Sequence, residues 1–227
     1  MTGPIAILLR HGEYHQRQGA PSAHQPFGLT KEGAKQAEAA GPAVVKMAKE
    51  NGWRLHPVIH CSNLLRGWQT AEIIRRTTPE FNGTEGYDAL AERGLGSAAN
   101  LTVAEIEAVL ANDPRYDPPP SDWKSKSHYR LPLQGAESLM DAGERVARHL
   151  DESLAGFEEP GTAMLFVGHG AAFRHAAHHL GVLAFDDIAK LSMHHATPVA
   201  LEAKHNGPWR HVAGEWKVRQ SGEEARD

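Results

Sequence analysis

The chain has 227 residues, 41% hydrophobic and 23% charged, with a formal net charge of -4. That length suffices for one domain with a sizeable core, and the slightly acidic balance gives no nucleic-acid footprint; no window is long and apolar enough to suggest a transmembrane helix. A single cysteine, Cys61, excludes an internal disulfide framework, and no basic stretch precedes the first apolar run, so a cytoplasmic enzyme is the expectation.

Ile5 to Leu9 is a continuous, branched apolar run and reads as a buried parallel strand ending in Arg10-His11-Gly12. A polar loop broken by Gly19, Pro21, Pro26 and Gly28 follows. Thr30 is placed as the N-cap of a helix whose apolar positions recur to Ala48 and which ends at Asn51-Gly52. Pro57 to Ser62 reads as a second buried strand, with a helix from Leu64 to about Arg76. Tyr87 to Leu90 is a short strand candidate leading to Glu92-Arg93-Gly94.

From Gly96 the character changes. One helix, Val103 to Leu110, precedes Pro114, Pro118, Pro119 and Pro120 and a polar stretch to Arg130, the composition of a lid or binding loop. Leu139, Gly143, Val146, Leu150, Leu154 and Phe157 then keep a helical rhythm. Thr162 to Val167 is a third apolar strand, closed by Gly168-His169-Gly170 and followed by a helix to about Leu180. Pro198 to Ala203 and Trp209 to Val218 suggest two last strands, joined as a hairpin through Asn206-Gly207, with a frayed charged tail beyond.

This alternation predicts an α/β three-layer sandwich, a mostly parallel central sheet flanked by helices. It forms a single domain over 1–227 with a small cap segment inserted at 96–134. In such sheets sites collect at the carboxyl ends of strands. Three predicted strands end in residues of catalytic type: Arg10-His11, Ser62 with Arg66 one turn on, and His169. A phosphoryl group needs cations, hydrogen-bond donors and a nucleophile in one pocket. Arg10 and Arg66 can supply guanidinium forks, the helix starting near Gly170 a positive end, and His11 a ring nitrogen that attacks phosphorus.

Leu8-Leu9-Arg10-His11-Gly12-Glu13 resembles the signature of the histidine phosphatase superfamily, in its phosphoglycerate mutase-like branch. Further blocks resemble that family in order: Leu29 to Ala37, Cys61 to Glu72, Leu90 to Gly96, Gly135 to Ser138, and Val167 to Gly170. The resemblance implies a phosphohistidine on His11, with Arg10, Arg66, His169 and Gly170 holding the transferred group. An Asp directly after the second histidine supplies the acid in one branch. Gly170 stands there here, so the acid and base role falls to Glu92, with Glu13, Glu85 and Glu105 as nearby rivals.

The glycolytic mutases carry an asparagine and a Gly-Trp pair shortly after the Arg-His-Gly-Glu run. Arg17 stands at the asparagine's place and the Gly-Trp pair is missing, so hydrolysis of a phosphomonoester is expected over mutase activity. A mutase-type phosphotransferase and a non-catalytic phosphate binder are the alternatives. Tyr116, Trp123, Lys124, Lys126, His128, Tyr129 and Arg130 would form the cap over the substrate, either a phosphorylated small molecule or a phosphoprotein. No cofactor is implied and no metal ligand is assigned. The clusters His175, His178, His179 and His194, His195 raise the question of one, and the i, i+4 pair His175 and His179 permits it, but no His-Glu-x-x-His pattern occurs and packed or surface histidines are the simpler reading. His194 and His195 are candidates to line the pocket. The oligomeric state, a dimer included, stays open.

Overall fold

In a computed structural model describing residues 3–157, 159–204 and 207–219, the central strand is β1 (Ile5–Arg10), built from the first apolar run. Its residues alternate between two cores. Ile5, Ile7 and Leu9 pack on one face with Val44 of α1 (Lys31–Glu50) and Ala71 and Ile74 of α2 (Leu65–Thr77). Ala6 and Leu8 face Val146 and Leu150 of α4 (Leu139–Leu154) and Phe173 and Ala176 of α5 (Gly170–His179). Burial on both faces is why β1 and β5 (Thr162–Gly168) are apolar throughout.

β1 lies parallel to β5 and antiparallel to β7 (Pro198–Glu202). The sheet order is β4-β3-β5-β1-β7-β8, with the two-residue β2 (Arg54–Leu55) also paired to β5. Here β3 is Val58–Ser62, β4 Gly83–Tyr87 and β8 Arg210–Ala213. The architecture is the expected layered α/β fold, with a seven-stranded, mostly parallel sheet between helices.

The departures have local causes. Asp88–Leu90 is a 3-10 turn rather than a strand; the strand is Gly83–Tyr87, just before it. As an edge strand with little buried surface, it carries no apolar alternation to read. The stretch Trp209 to Val218 is split at Gly214, which takes φ +75 in a turn where an added Cβ would lie 2.3 Å from the Pro198 carbonyl oxygen. Beyond it, β9 (Lys217–Val218) pairs instead with β6 (Leu191–Ser192), after the short helix α6 (Phe185–Ile188). β7 and β8 pair antiparallel, but Asn206 of the expected connection lies outside the described residues, as does the tail from Gln220.

Residues 96–134 carry α3 (Val103–Asn112), started by a Thr102/Glu105 capping box, and a small core of their own. Ile106, Leu110, Trp123 and Leu131 fill that core, and Ala23 of the 11–30 loop packs into it. Leu95 bridges to Ala136 at its base, and the Val103 amide donates to the Gly19 carbonyl.

Candidate active site

The carboxyl ends of β1, β5 and β3 lie side by side, which brings Arg10, His169 and Ser62 together. His11 leaves β1 with its amide bonded to the Gly168 carbonyl (3.0 Å) and its ring buried. Nδ1–H donates to the Gly12 carbonyl at 2.7 Å, so Nε2 carries the lone pair, which accepts from Arg66 Nε at 3.2 Å. Burial, then the charges of Arg66 and Arg10, hold the His11 pKa well below 6.5. The ring is therefore a neutral imidazole with one nucleophilic nitrogen.

Arg66, in the first turn of α2, is fully buried. Its Nη1 donates to the Gln25 carbonyl (3.1 Å) and Nη2 to the Ala23 carbonyl (2.7 Å), and the guanidinium lies 4.4 Å over the Tyr14 ring. A buried cation whose partners are carbonyls and an imidazole is poised for an anion, because those neutral groups offset only part of its desolvation. Burial accordingly lowers its pKa. Arg10 donates from Nη1 to the Met193 carbonyl at 3.1 Å.

His169 is the N-cap residue of α5 and is buried, its ring centroid 5.0 Å from that of His11. Its Nε2 meets Ser62 Oγ at 2.9 Å, while Nδ1 is buried with no hydrogen-bond partner among the described residues. Burial and the Arg66 charge hold its pKa well below 6.5.

Glu92 is 3% exposed and lies at the N-terminus of α5. Oε1 accepts from the Ala172 (3.1 Å) and Arg93 (3.0 Å) amides and Oε2 from the Ala171 amide (3.3 Å). This helix end is expected to face the phosphate through Gly170, whose amide is not among the partners of Glu92. Two further N–H groups of its first turn hold the Glu92 carboxylate, an anion of the kind a helix N-terminus attracts. The rival acids are engaged elsewhere: Glu13 with Thr30, Glu85 with Tyr87, and Glu105 with Thr102 and Arg17. The Gly135 to Ser138 block supplies Glu137, which accepts from the Gly94 amide and from Arg145. Arg145 also reaches the Ala89 and Ala91 carbonyls, so the pair clamps the segment carrying Glu92.

The cap residues scatter. Trp123 is buried, with Nε1 donating to Glu107, and Tyr116 packs against the same core. Lys126 pairs with Asp122 (3.1 Å), Arg130 with Asp141 at the start of α4 (2.7 Å), and His128 stacks on Phe185. Lys124 lines a recess of about 250 Å³ with Ser125, Ser127, Arg174, Arg219 and Ala171, the residue whose amide holds Glu92.

Among the clustered histidines, His175 is buried between the Ala171 carbonyl (2.7 Å) and Ser127 (3.0 Å). His178 and His179 bond the Leu183 and Met140 carbonyls. Among the described residues no group of three His, Cys, Asp or Glu side chains is arranged to hold a metal ion. The site also holds Tyr14, which sequence reasoning did not assign, and His195, expected with His194 only as a candidate to line the pocket. His195 donates to the His11 carbonyl at 2.8 Å from the turn before β7, and no spacing signal connects positions so far apart in the chain.

Residues 6–215 match the profile of the histidine phosphatase superfamily (branch 1). The chain belongs to that family. A 2,3-bisphosphoglycerate-dependent phosphoglycerate mutase from Corynebacterium kroppenstedtii is 26% identical, over 91% of this chain and 89% of that protein. Among solved structures, a mycobacterial glucosyl-3-phosphoglycerate phosphatase in complex with VO3 superposes with a TM-score of 0.67 at 25% identity, covering 92% of this chain and 96% of that one. A putative alpha-ribazole-5'-P phosphatase from Escherichia coli shares the fold, with a TM-score of 0.66 at 18% identity and 96% coverage of each chain. As histidine phosphatase relatives, these proteins include both mutases and phosphatases.

Proposed function

We propose that this histidine phosphatase family member hydrolyses a phosphomonoester through a covalent phosphohistidine on His11, without a metal ion. The carrying observation is the neutral His11 ring, pinned at Nδ1 with its Nε2 lone pair toward buried Arg66. Substrate phosphate takes up the Arg66 Nε donor that now rests on Nε2, with Arg10, His169 and the Gly170 amide as its other ligands. His11 Nε2 then forms a bond to phosphorus as the ester P–O bond breaks, and Glu92 protonates the departing oxygen. In the second half, Glu92 takes a proton from water, whose oxygen displaces Nε2 from phosphorus, and inorganic phosphate leaves. The proton Glu92 takes from water in this half is the one it delivers to the leaving oxygen of the next substrate, so the cycle closes without a further proton source.

Water as acceptor is supported by Arg17. It stands where the mutases carry asparagine and is turned outward, bonding the Asn100 carbonyl and Glu105 of the cap segment. Mutase activity is the second reading, favoured by the names of the relatives identified by sequence. The recess lined by Lys124, Arg174, Arg219 and Ala171, which none of His11, Arg66, His169 and Glu92 lines, would suit a substrate whose body is anionic or polar.

The test is a panel of p-nitrophenyl phosphate, sugar phosphates, phosphoglycerates and phosphopeptides in excess EDTA. Wild type should release phosphate and trap an acid-labile, base-stable phosphoryl group, and His11→Ala should do neither. Full activity of His11→Ala would refute the mechanism. Conversion of 3-phosphoglycerate to 2-phosphoglycerate faster than hydrolysis would establish the mutase reading instead.

A further inference from the structure

His169 has two ring nitrogens, and only one is accounted for. Its Nε2 lies 2.9 Å from Ser62 Oγ at the end of β3, and its Nδ1 is buried without a partner. Ser62 is itself fully buried, and its Oγ also accepts from the Leu64 amide at 3.2 Å.

The donors and acceptors can be matched in two ways. If Nε2 carries the proton, Ser62 Oγ accepts from both Nε2–H and the Leu64 amide. The serine proton then needs a further acceptor, and none is present among its hydrogen bonds. Nδ1 would also present a lone pair to the phosphoryl oxygens, which is repulsive. If Nδ1 carries the proton, Nε2, the Ser62 hydroxyl and the Leu64 amide are all matched and only Nδ1–H is left over. The Leu64 amide donates to Ser62, the Ser62 hydroxyl donates to Nε2, and Nδ1–H is left as a donor in the pocket that also holds His11 and Arg66. Buried polar groups favour the pattern that leaves one group unmatched over the one that leaves two, the serine proton and the Nδ1 lone pair.

We propose that Ser62 is a positioning residue that fixes His169 as the Nδ1–H tautomer, making this histidine a neutral hydrogen-bond donor to the transferred phosphoryl group. This rests on the phosphate pocket proposed above, although the tautomer itself does not. The arrangement complements His11, whose Nδ1 is pinned by a carbonyl so that its Nε2 is a lone pair. One ring is held as an acceptor that attacks, and the other as a donor that binds. Ser62 thus acts through His169 and does not touch the reacting atoms.

The decisive measurement is two-bond ¹⁵N–¹H correlation of the histidine rings in uniformly labelled protein at pH 7.5, with His169 assigned by loss of its signals in His169→Gln. The wild-type ring is expected as the neutral Nδ1–H tautomer, and in Ser62→Ala it should become a mixture or switch to Nε2–H. A wild-type Nε2–H tautomer would overturn the proposal, as would an unchanged tautomer in Ser62→Ala. Vanadate affinity, read by intrinsic fluorescence, should weaken about tenfold or more in Ser62→Ala, the scale of one hydrogen bond to a charged group. Ser62→Cys, which keeps a weak donor, should restore part of it, whereas equal losses in both variants would count against a donor role. Should the protein prove inert toward every phosphomonoester, the hydrolytic reading fails while the wild-type spectrum still decides the tautomer.

Discussion

His175 gives a prediction whose size follows from its surroundings. The ring is 1% exposed, donates from Nδ1 to the Ala171 carbonyl and accepts at Nε2 from Ser127. Burial first, with the nearby Arg174 charge also acting in this direction, pushes its pKa from 6.5 down to about 4. Above 6.5 the ring is neutral in both folded and unfolded chains. As the pH falls from 6.5 toward 4, the unfolded chain gains a proton that the fold refuses, so stability is lost; below about 4 the loss levels off. That loss is about 2 kcal/mol at pH 5 and about 3 kcal/mol at its limit. His175→Gln abolishes this term, but at pH 7 it leaves the Ala171 carbonyl and Ser127 without the imidazole, costing about 1–3 kcal/mol. Urea denaturation of both proteins at pH 7 and pH 5 measures the gap between them. The gap should shrink by about 2 kcal/mol at the lower pH. The other histidines with lowered pKa, such as His11, His60 and His169, destabilise both proteins alike and drop out of the comparison. A gap that is the same at both pH values would show that His175 is not held neutral by its burial.

Three further outcomes follow from the site and its supports. Glu92→Gln should lower kcat on alkyl phosphates by about 10²- to 10⁴-fold while sparing p-nitrophenyl phosphate, whose leaving group needs little protonation; equal losses on both would remove Glu92 as the acid. Arg66→Lys keeps the charge but cannot reach His11, Gln25 and Ala23 at once, so vanadate inhibition should weaken about 10- to 100-fold. Unchanged inhibition would mean that the fork is not used. Gly143→Ala would place a Cβ 2.4 Å from His175 Cβ, forcing α4 and α5 apart. The cost, about 1–3 kcal/mol, should outweigh the roughly 1 kcal/mol gained in helix propensity and lower Tm by several degrees; a higher Tm would refute this close packing.

What the sequence discloses here depends on burial. β1, β3 and β5 sit inside the sheet, so their apolar runs stand out, and the polar residues that interrupt them at one end, Arg10-His11, Ser62 and His169, mark the site. β4 lies at the edge and escapes that test. The prolines set residues 96–134 apart as a stretch of different character, but the partners of its charges could not be read. Arg130 is drawn to Asp141 of the α4 capping box and Lys126 to Asp122, contacts set by how the segment folds back. His195 is a tertiary neighbour alone, delivered by an antiparallel strand from the far end of the chain.

The position of Glu92 carries the larger consequence. A helix N-terminus aimed at a phosphate would stabilise ground state and transition state alike, which favours binding more than rate. In this chain two amides of the first turn of α5 hold the Glu92 carboxylate instead, and in the proposed mechanism that carboxyl group meets the leaving oxygen while the guanidinium groups hold most of the phosphoryl charge. The same turn begins with His169 and, through the Ala171 carbonyl, bonds His175, which in turn bonds Ser127 of the cap segment. If Glu92 is the acid and His169 a phosphate ligand, as proposed, both are tied through this turn to Ser127, and a substrate that displaces residue 127 would act on Glu92 and His169 together. For that reason substitutions at Ser127 should change kcat as well as KM, although Ser127 lies on the cap side of the recess.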